Sequence, residues 1–217
     1  MSETTKKHII TTAYDLFSQY GIKGVSMDDI ARNAGISKRT LYSHFSDKEE
    51  LLLQGFILLY GQIIARLDQI TSEAHSALDT ILLFHEEIMK CPRWYNPRFY
   101  EDLKRYPNTL EVVEVEKKRF SEKCRLYFEQ GVKEGDFQPE VNFEIVSLLA
   151  KERITMKKPS KVFSNHSTKE VYDTILLTFL KGICTEEGRA KLERYAIKQA
   201  NINQIRENYS PQNNSIF

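Results

Sequence analysis

The sequence predicts an all-α protein. Apolar residues recur at three-to-four spacing along most of the 217-residue chain, which is the pattern of helices that bury one face. Only 9 Gly and 6 Pro residues occur, too few for a loop-rich β-sandwich, and no segment shows a convincing strand pattern. The 41% hydrophobic and 28% charged shares are close to ordinary globular values, so the chain can bury a sizeable core.

The first two helices are delimited by local signals. An amphipathic helix is predicted over residues 9–20, and Gly21 follows at a position where glycine adopts the left-handed conformation without strain. Ser26 begins the sequence Ser-x-x-Asp29, a capping box in which a hydroxyl and a carboxylate bind free amides of the first turn. The second helix is predicted to be short, because Gly35 interrupts it.

A third and a fourth helix follow. Ser37 can cap a third helix over residues 38–44. Ser46 opens a second capping box, Ser-x-x-Glu49, and predicts a fourth helix that runs unbroken toward Ile70. About 24 residues at ~1.5 Å each would span ~36 Å, which is long enough to join two domains.

The remainder of the chain predicts helices separated by breaks. Pro92 ends one helix, Pro97 suits the first position of the next, and Ser167-x-x-Glu170 is another capping box. Residues 155–166 are predicted to form a polar loop. The predicted helices are residues 74–90, 97–106, 110–135, 142–154, 168–183 and 185–209.

The charged residues and cysteines exclude several classes of protein. A net charge of +1 excludes binding to nucleic acid through bulk positive charge, so any such contact depends on the local placement of Lys and Arg. The three cysteines are far apart, with no metal-ligand spacing, and the sequence has no HExxH motif and no phosphate-binding loop. We therefore expect no enzyme activity, no metal and no cofactor.

The N-terminus and the hydropathy pattern bear on location. The sequence MSETTKKHII lacks the apolar run of a secretory signal, and no stretch is expected to reach the ~18 apolar residues of a membrane span. These features predict a cytoplasmic protein with no membrane contact.

Residues 29–45 form the segment most informative about function. Two short helices joined by a turn at Gly35 correspond to a helix-turn-helix layout. Its inward side is predicted to consist of Ile30, Ala31, Ala34, Ile36, Leu41 and Phe45. The outward side of the third helix carries donors, a methyl group and an aromatic hydroxyl, with no acid: Lys38, Arg39, Thr40, Tyr42, Ser43 and His44. This set suits a helix that enters a major groove, and the alternative is a helical hairpin with a solvated polar face.

The same segment lies within a longer signature. Residues 13–17 read Ala-Tyr-Asp-Leu-Phe, Gly21 follows, and residues 26–37 read Ser-Met-x-x-Ile-Ala-x-x-Ala-Gly-Ile-Ser. Residues 40–51 read Thr-Leu-Tyr-x-His-Phe-x-x-Lys-x-x-Leu. The span from Thr12 to Leu52 thereby resembles the tetracycline-repressor (TetR) family. The resemblance covers roughly the first quarter of the chain, and the rest is similar only in its helical layout.

The resemblance implies two domains and a mode of DNA binding. The domains are a helix-turn-helix domain over residues 1–46 and a helical effector-binding and dimerisation domain over 47–209. The sequence itself predicts a flexible tail over 210–217. The resemblance also implies a homodimer whose third helices enter successive major grooves of a palindromic operator. The DNA-binding residues that it implies are Ser26, Ser37, Lys38, Arg39, Thr40, Tyr42, Ser43, His44 and Lys48. Tyr42 and Lys48 would contact phosphate, whereas His44 would either contact DNA or pack against Phe45.

The resemblance further implies a small-molecule effector and a dimer surface in the C-terminal helices. Aromatic residues with polar tips suit an apolar or amphipathic effector, although such residues at helical spacing are also typical of a core. The candidates are His85, Trp94, Tyr95, Phe99, Tyr100, Tyr106, Phe120, Cys124 and Tyr127. The broad apolar faces of residues 142–154 and 171–184 predict the dimer interface, with Leu148, Leu149, Val171, Ile175, Leu176, Phe179, Leu180 and Ile183.

The predicted function is that of a ligand-responsive transcriptional regulator, a repressor that a small effector releases from its operator. The alternative is a DNA-binding dimer without a small-molecule ligand that a protein partner controls.

Overall fold

The structure, a computed structural model, describes residues 3–90, 97–146, 148 and 165–209. Over these residues the chain is helical, with no strand beyond an isolated antiparallel bridge between Phe137 and Cys184. The prediction of an all-α fold is confirmed. The labelled helices are α1 (Glu3–Tyr20), α2 (Met27–Asn33), α3 (Lys38–His44), α4 (Lys48–Glu73), α5 (Ala77–Met89), α6 (Pro97–Leu103), α7 (Pro107–Lys133), α8 (Thr168–Ile183) and α9 (Glu186–Tyr209).

The capping signals at the first helices are confirmed. Gly21 has a φ of 77°, and its amide donates to the Phe17 carbonyl at 2.9 Å, which ends α1. The Ser26 hydroxyl accepts from the Asp29 amide at 3.1 Å, and the Asp29 carboxylate accepts from the Ser26 amide at 3.0 Å. Ser37 caps α3 in the expected way. These bonds satisfy amides that a helix N-terminus otherwise leaves without partners.

The start of α4 differs from its prediction by one residue. The cap is Asp47, whose carboxylate accepts from the Glu50 amide at 2.8 Å, so the predicted box of Ser46 with Glu49 is wrong. Ser46 instead donates its amide and its hydroxyl to the Glu50 carboxylate, at 2.6 and 2.7 Å. These hydrogen bonds hold the pKa of Glu50 below its usual value.

The break between α6 and α7 also differs from its prediction. The predicted helix ran to Tyr106, but α6 ends at Leu103. The amides of Arg105 and Tyr106 donate to the carbonyls of Asp102 and Leu103 in a tight turn. Pro107 then begins α7, where its missing amide hydrogen is not needed.

Some predicted elements lie partly or wholly outside the described residues. Of the predicted helix over 142–154, residue 142 precedes the helix, residues 143–146 and 148 are helical, and residues 147 and 149–154 are not described. The predicted loop is described only at Asn165 and His166, and the predicted tail over 210–217 lies outside the described residues.

The first hydrophobic core joins α1, α2 and α3 to α4, α6 and α7. Tyr14 lies at its centre, where its hydroxyl donates to the Leu52 carbonyl at 2.5 Å and its ring centroid is 5.8 Å from that of Phe99. A Cβ atom at Gly55 would lie 2.3 Å from the Tyr14 ring, so the glycine allows α1 and α4 to approach closely. Residues beyond position 46 thus complete the core of the helix-turn-helix segment, and the domain boundary near residue 46 stays a prediction.

The second core joins α5, α7, α8 and α9 around Phe137. The Phe128 and Phe143 rings stack with centroids 4.8 Å apart, and both contact the Phe137 ring. Its buried members are Leu78, Leu82, Phe137, Leu180, Ile183, Cys184 and Leu192. Each large apolar side chain buried in this way stabilises the fold by roughly 1.5–3 kcal/mol.

Helix α4 contributes its N-terminal half to the first core. One 18-residue window in it has a mean hydropathy of 1.3, so its length and composition alone would allow it to cross a membrane. The expectation that no stretch reaches this threshold is therefore wrong. A third of that window is buried, and α1, α5 and α7 pack against the helix.

Candidate nucleic-acid interface and effector region

The α2–α3 pair is fixed to the rest of the chain through its inward side. Gly35 has a φ of 65° in the turn, and the Ile36 amide donates to the Ala31 carbonyl at 3.0 Å. Leu41 and Phe45 are fully buried in the first core. Because this side of α3 is buried, the orientation of its outward side is set by the core.

The outward side of α3 contains two side chains with free polar groups. Arg39 and Tyr42 are both exposed, Tyr42 at 50%, and neither has a hydrogen-bond or ion-pair partner in the part of the chain that the structure describes. The hydroxyls of Thr40 and Ser43 are bonded locally, to the Ser37 hydroxyl at 2.8 Å and to the Thr40 carbonyl at 2.7 Å. Arg39 and Tyr42 are therefore the α3 groups most available to a partner.

Lys38, at the start of α3, forms an ion pair with an acid of α2. The Lys38 ammonium lies 2.5 Å from the Asp28 carboxylate in the first turn of α2. Sequence reasoning found no acid on the outward side of α3 and missed Asp28, because this acid comes from the neighbouring helix. The two acids of that turn face different groups, since Asp29 accepts from Ser26 and from Arg32.

The two capping serines are both engaged within the chain. The Ser26 hydroxyl donates to the Asp29 carboxylate at 2.5 Å, and these bonds keep the pKa of Asp29 below its usual value. The Ser37 hydroxyl accepts from the Thr40 amide at 3.0 Å. Their backbones border the α2–α3 surface, and direct DNA contact by either serine stays a prediction.

Lys48 is oriented toward the chain itself. Its half-buried ammonium donates to the Ile22 carbonyl at 2.7 Å and to the Val25 carbonyl, both in the turn between α1 and α2. Burial lowers the pKa of this ammonium, and the carboxylates of Asp102 and Asp29 oppose that shift. An ammonium has three donors, so one N–H is not used by these carbonyls. The predicted phosphate contact depends on that remaining donor.

His44 and Phe45 are neighbours in space as well as in sequence. Their ring centroids are 6.3 Å apart and His44 is half-buried, so its position suits packing against Phe45. A contact between His44 and DNA stays a prediction. The Lys6 ammonium lies 5.9 Å from the Phe45 ring centroid, within the range of a cation–π contact.

The candidate effector residues divide into core residues and half-buried residues with polar groups. Phe99 is only 4% exposed and belongs to the first core, against which Tyr106 also packs. Phe120 contacts Phe84, with centroids 5.7 Å apart. The Tyr127 hydroxyl lies 2.7 Å from that of Thr71. Trp94 and Tyr95 lie outside the described residues.

Polar groups meet where α5, α6 and α8 approach one another. The His85 ring lies 2.8 Å from the Asp173 carboxylate, which joins α5 to α8. Burial and the neighbouring Tyr172 hydroxyl raise the pKa of Tyr100, on α6, to about 12. The structure therefore brings two predicted residues, His85 and Tyr100, near consecutive positions of α8.

A further polar group comes from α4. The Tyr60 hydroxyl donates to the Glu116 carbonyl at 3.0 Å, and its ring stacks on Phe56 with centroids 5.1 Å apart. Burial raises the pKa of Tyr60 to about 12, and the neighbouring Cys124 also contributes. Burial likewise raises the pKa of the Cys124 thiol to about 12. Sequence reasoning missed Tyr60, because it lies within the apolar run of α4 and carries no distinguishing spacing.

The candidate dimer residues are not equally accessible. Leu148 is 53% exposed, whereas Leu180 and Ile183 are 2% and 5% exposed in the second core. Because these two side chains are buried within one chain, they offer little surface to a partner, and their assignment to an interface stays a prediction. The half-buried candidates are Val171, Ile175, Leu176 and Phe179, and Leu149 lies outside the described residues.

Comparison with known proteins identifies similar chains. The model of bacterial regulatory proteins of the tetR family matches residues 9–54. The HTH-type transcriptional regulator YhgD of Bacillus subtilis is 35% identical over 88 residues, 41% of this chain and 42% of that protein. The HTH-type transcriptional repressor KstR2 of Mycolicibacterium smegmatis is 24% identical over 194 residues, 84% of this chain and 92% of that protein.

The extent of these matches differs between sequence and structure. Alignments with three of the curated relatives span 41%, 64% and 42% of the relatives' own length, less than two thirds in each case. The solved structure of the ketosteroid transcriptional regulator KstR2 of Mycobacterium tuberculosis has a TM-score of 0.61 and 22% identity, and the match covers 86% of this chain and 98% of that one. At this identity the likeness establishes the fold.

Proposed function

We propose that this chain, whose residues 9–54 match the tetR family of bacterial regulatory proteins, is a ligand-responsive transcriptional repressor of that family. In this proposal it binds a palindromic operator as a homodimer in the cytoplasm, and a small apolar or amphipathic effector releases it. The KstR2 relative of Mycolicibacterium smegmatis is a transcriptional repressor. The other relatives are described as transcriptional regulators, not as enzymes.

The observation that carries the proposal is the outward side of α3. Arg39 and Tyr42 are exposed, without a hydrogen-bond partner among the described residues, on a helix whose other side is buried, so the helix is held in place and these polar groups face outward. A guanidinium reads the O6 and N7 atoms of guanine in the major groove, and a tyrosine hydroxyl donates to phosphate. We therefore assign base reading to Arg39 and backbone contact to Tyr42.

Replacing Arg39 tests this assignment. The probes are a duplex that the protein selects from a random library and a scrambled duplex of equal composition. R39A is expected to weaken binding to the selected duplex by ~1–3 kcal/mol and to change binding to the scrambled duplex little. R194A, which removes an exposed arginine of α9, serves as the control. Equal losses on both duplexes would make Arg39 a backbone contact, and wild-type protein that binds neither would refute the function.

The homodimer is proposed from apolar surface that one chain leaves exposed. Ile145 and Leu148 are 55% and 53% exposed, and Phe179 on α8 is half-buried. Large apolar side chains that one chain leaves exposed suit an interface. The double variant L148E/F179E is expected to sediment as a monomer at micromolar concentration and to lose operator binding. V115E, at an exposed position of α7, should remain a dimer, and a wild-type monomer would contradict the proposal.

The effector is proposed to bind near the half-buried polar groups of His85, Tyr100 and Cys124. A ligand that fits one packing of the helices better than another shifts the equilibrium only by that difference in affinity, typically ~1–3 kcal/mol. Linkage then requires operator DNA to weaken ligand binding by the same factor. Titration calorimetry of a ligand found by thermal-shift screening, with and without the selected duplex, measures this factor. Identical ligand affinities with and without the duplex would contradict effector release and would favour the alternative, regulation by a protein partner.

A further inference from the structure

The segment that joins α6 to α7 is attached at both ends to the DNA-binding part of the chain. At its start, the Asp102 carboxylate accepts a hydrogen bond from the Lys23 amide, in the turn between α1 and α2, at 2.8 Å. At its end, the Asn108 amide donates to the Glu49 carboxylate, in the first turn of α4, at 3.1 Å. Residues 104–106 therefore lie beside the α1–α2 turn and the first turn of α4.

Both of these elements adjoin predicted contacts with the DNA backbone. Ser26 caps α2 directly after the α1–α2 turn, and Lys48 is the first residue of α4. The Lys48 ammonium also binds the carbonyls of Ile22 and Val25, which holds the two elements together. A DNA strand that reaches Ser26 and Lys48 therefore comes near residues 104–106.

Arg105 presents a positive charge in this segment. It is exposed, and its guanidinium has no hydrogen-bond or ion-pair partner among the described residues. Burial raises the pKa of the neighbouring Tyr106 hydroxyl, the Asp102 and Glu49 carboxylates raise it further, and Arg105 lowers it. All three charges thus act on one hydroxyl, which places the guanidinium on the side of the turn that faces α4.

The acids of this region leave the guanidinium unpaired. Asp102 and Glu49 each accept a backbone amide, and neither forms an ion pair with Arg105. The Asp102 charge also acts on Lys48, since burial lowers the pKa of that ammonium and Asp102 opposes the shift. A guanidinium that no carboxylate holds can bind a phosphate through two parallel N–H groups.

We propose that Arg105 binds a phosphate of the operator backbone, so that the DNA-binding surface extends from the helix-turn-helix segment onto the turn between α6 and α7. This inference rests on the proposed function. A phosphate contact carries no information on base sequence, so Arg105 adds affinity for the selected and the scrambled duplex alike. It thereby differs from Arg39, whose proposed base contact acts on the selected duplex.

Neutralising Arg105 tests the inference with the two duplexes described above. R105Q is expected to weaken binding to both by at least tenfold at ~0.15 M salt, because the dimer loses two phosphate contacts. The slope of log K against log salt should fall by about 0.9 for each protomer, and R105K should retain most of the affinity and of the slope. R194Q removes the same charge from an exposed arginine of α9 and should change neither quantity. An unchanged slope in R105Q, a loss confined to the selected duplex, or an equal loss in R194Q would overturn the inference.

Neutral methylphosphonates locate the contact when they replace the phosphates of the selected duplex one at a time. At one position in each half-site, the replacement should weaken wild-type binding about fivefold, the effect of one released counterion at ~0.15 M salt. At the same position it should weaken R105Q binding less than twofold, because the partner of that phosphate is already gone. Wild type and R105Q that respond alike at every phosphate would overturn the inference.

Folding and function are controlled separately. The turn is closed by the backbone amides of Arg105 and Tyr106, which R105Q keeps, so its melting temperature should stay close to that of wild type. If R105Q melts lower, R105M must give the same loss of affinity and of slope. Wild-type protein that binds neither duplex at low salt would refute the proposed function, whereas normal wild-type binding with an unchanged R105Q would refute only the role of Arg105.

Discussion

The Asp102 carboxylate on α6 accepts a hydrogen bond from the Lys23 amide at 2.8 Å, across 79 positions of the sequence. The same carboxylate lies 2.9 Å from where a Cβ atom on Gly21 would stand. Lys48 binds the other side of this turn, through the carbonyls of Ile22 and Val25. The turn that joins α1 to α2 is therefore held by α6 and by α4 at once.

Removing the Asp102 carboxylate should loosen this turn. We expect D102A to lower the free energy of unfolding by about 0.5–1.5 kcal/mol, the net value of one such hydrogen bond. Hydrogen exchange at the Lys23 amide should accelerate, because its acceptor is gone. Urea unfolding and exchange measured by NMR test the two effects. E101A, at the exposed neighbouring position of α6, should change neither quantity, and a Lys23 amide that stays protected in D102A would contradict the role assigned to this contact.

Replacing Lys48 should affect both stability and DNA binding. K48M keeps the length of the side chain but removes two hydrogen bonds to carbonyls, and we expect a loss of about 1–3 kcal/mol in unfolding free energy. If the third N–H reaches phosphate, the salt slope of DNA binding also falls by about 0.9. K23M removes an exposed lysine of the same turn and should leave stability within about 0.5 kcal/mol. An unchanged salt slope in K48M would limit Lys48 to holding the turn.

The features that sequence predicted are those encoded by neighbouring residues. Gly21 ends α1, and Ser26 with Asp29 caps α2, because each device acts within about four positions. The shift from Ser46 to Asp47 at α4 arose because two adjacent residues can both cap and the local pattern does not choose between them.

The contacts that sequence could not predict join distant positions. Lys48 reaches Ile22 across 26 positions, and Asp102 reaches Lys23 across 79. Both pairings depend on how whole helices pack. The same limit applies to Leu180 and Ile183, since an apolar stripe on α8 does not reveal whether it faces its own core or a partner chain.

The thiols of Cys124 and Cys184 should react slowly. Burial raises their pKa values to about 12 and about 11, so the reactive thiolate is scarce at neutral pH. In a C91A background, labelling with an aromatic disulfide reagent at pH 8 should be at least tenfold slower than in urea-unfolded protein. The rate should keep rising with pH beyond 9, the ordinary thiol value. A rate that levels off near pH 9 would contradict the raised pKa values.

Lys191 is the partner of a buried carboxylate. Asp136 is fully buried, its Oδ1 lies 2.6 Å from the Lys191 ammonium, and its Oδ2 has no hydrogen-bond partner among the described residues. K191M therefore leaves a buried charge uncompensated. We expect a loss of about 2–3 kcal/mol in unfolding free energy, below the ~3–5 kcal/mol of a fully buried pair, because the lysine side chain is 30% exposed.

The same pair predicts how stability depends on pH. The bond to Asp136 raises the pKa of Lys191 in the folded chain, so its contribution is complete below the ordinary lysine value of 10.5 and is lost as pH rises through the folded value. Urea unfolding of wild type, K191M and K191R between pH 7 and pH 10 measures both effects. The unfolding free energy of wild type should exceed that of K191M by a constant difference over this range. K191R should retain most of this difference, since a guanidinium also pairs with the carboxylate. A difference that shrinks between pH 7 and pH 9 would show that the Lys191 pKa is lowered, and an equal loss in both variants would assign the effect to packing instead of charge.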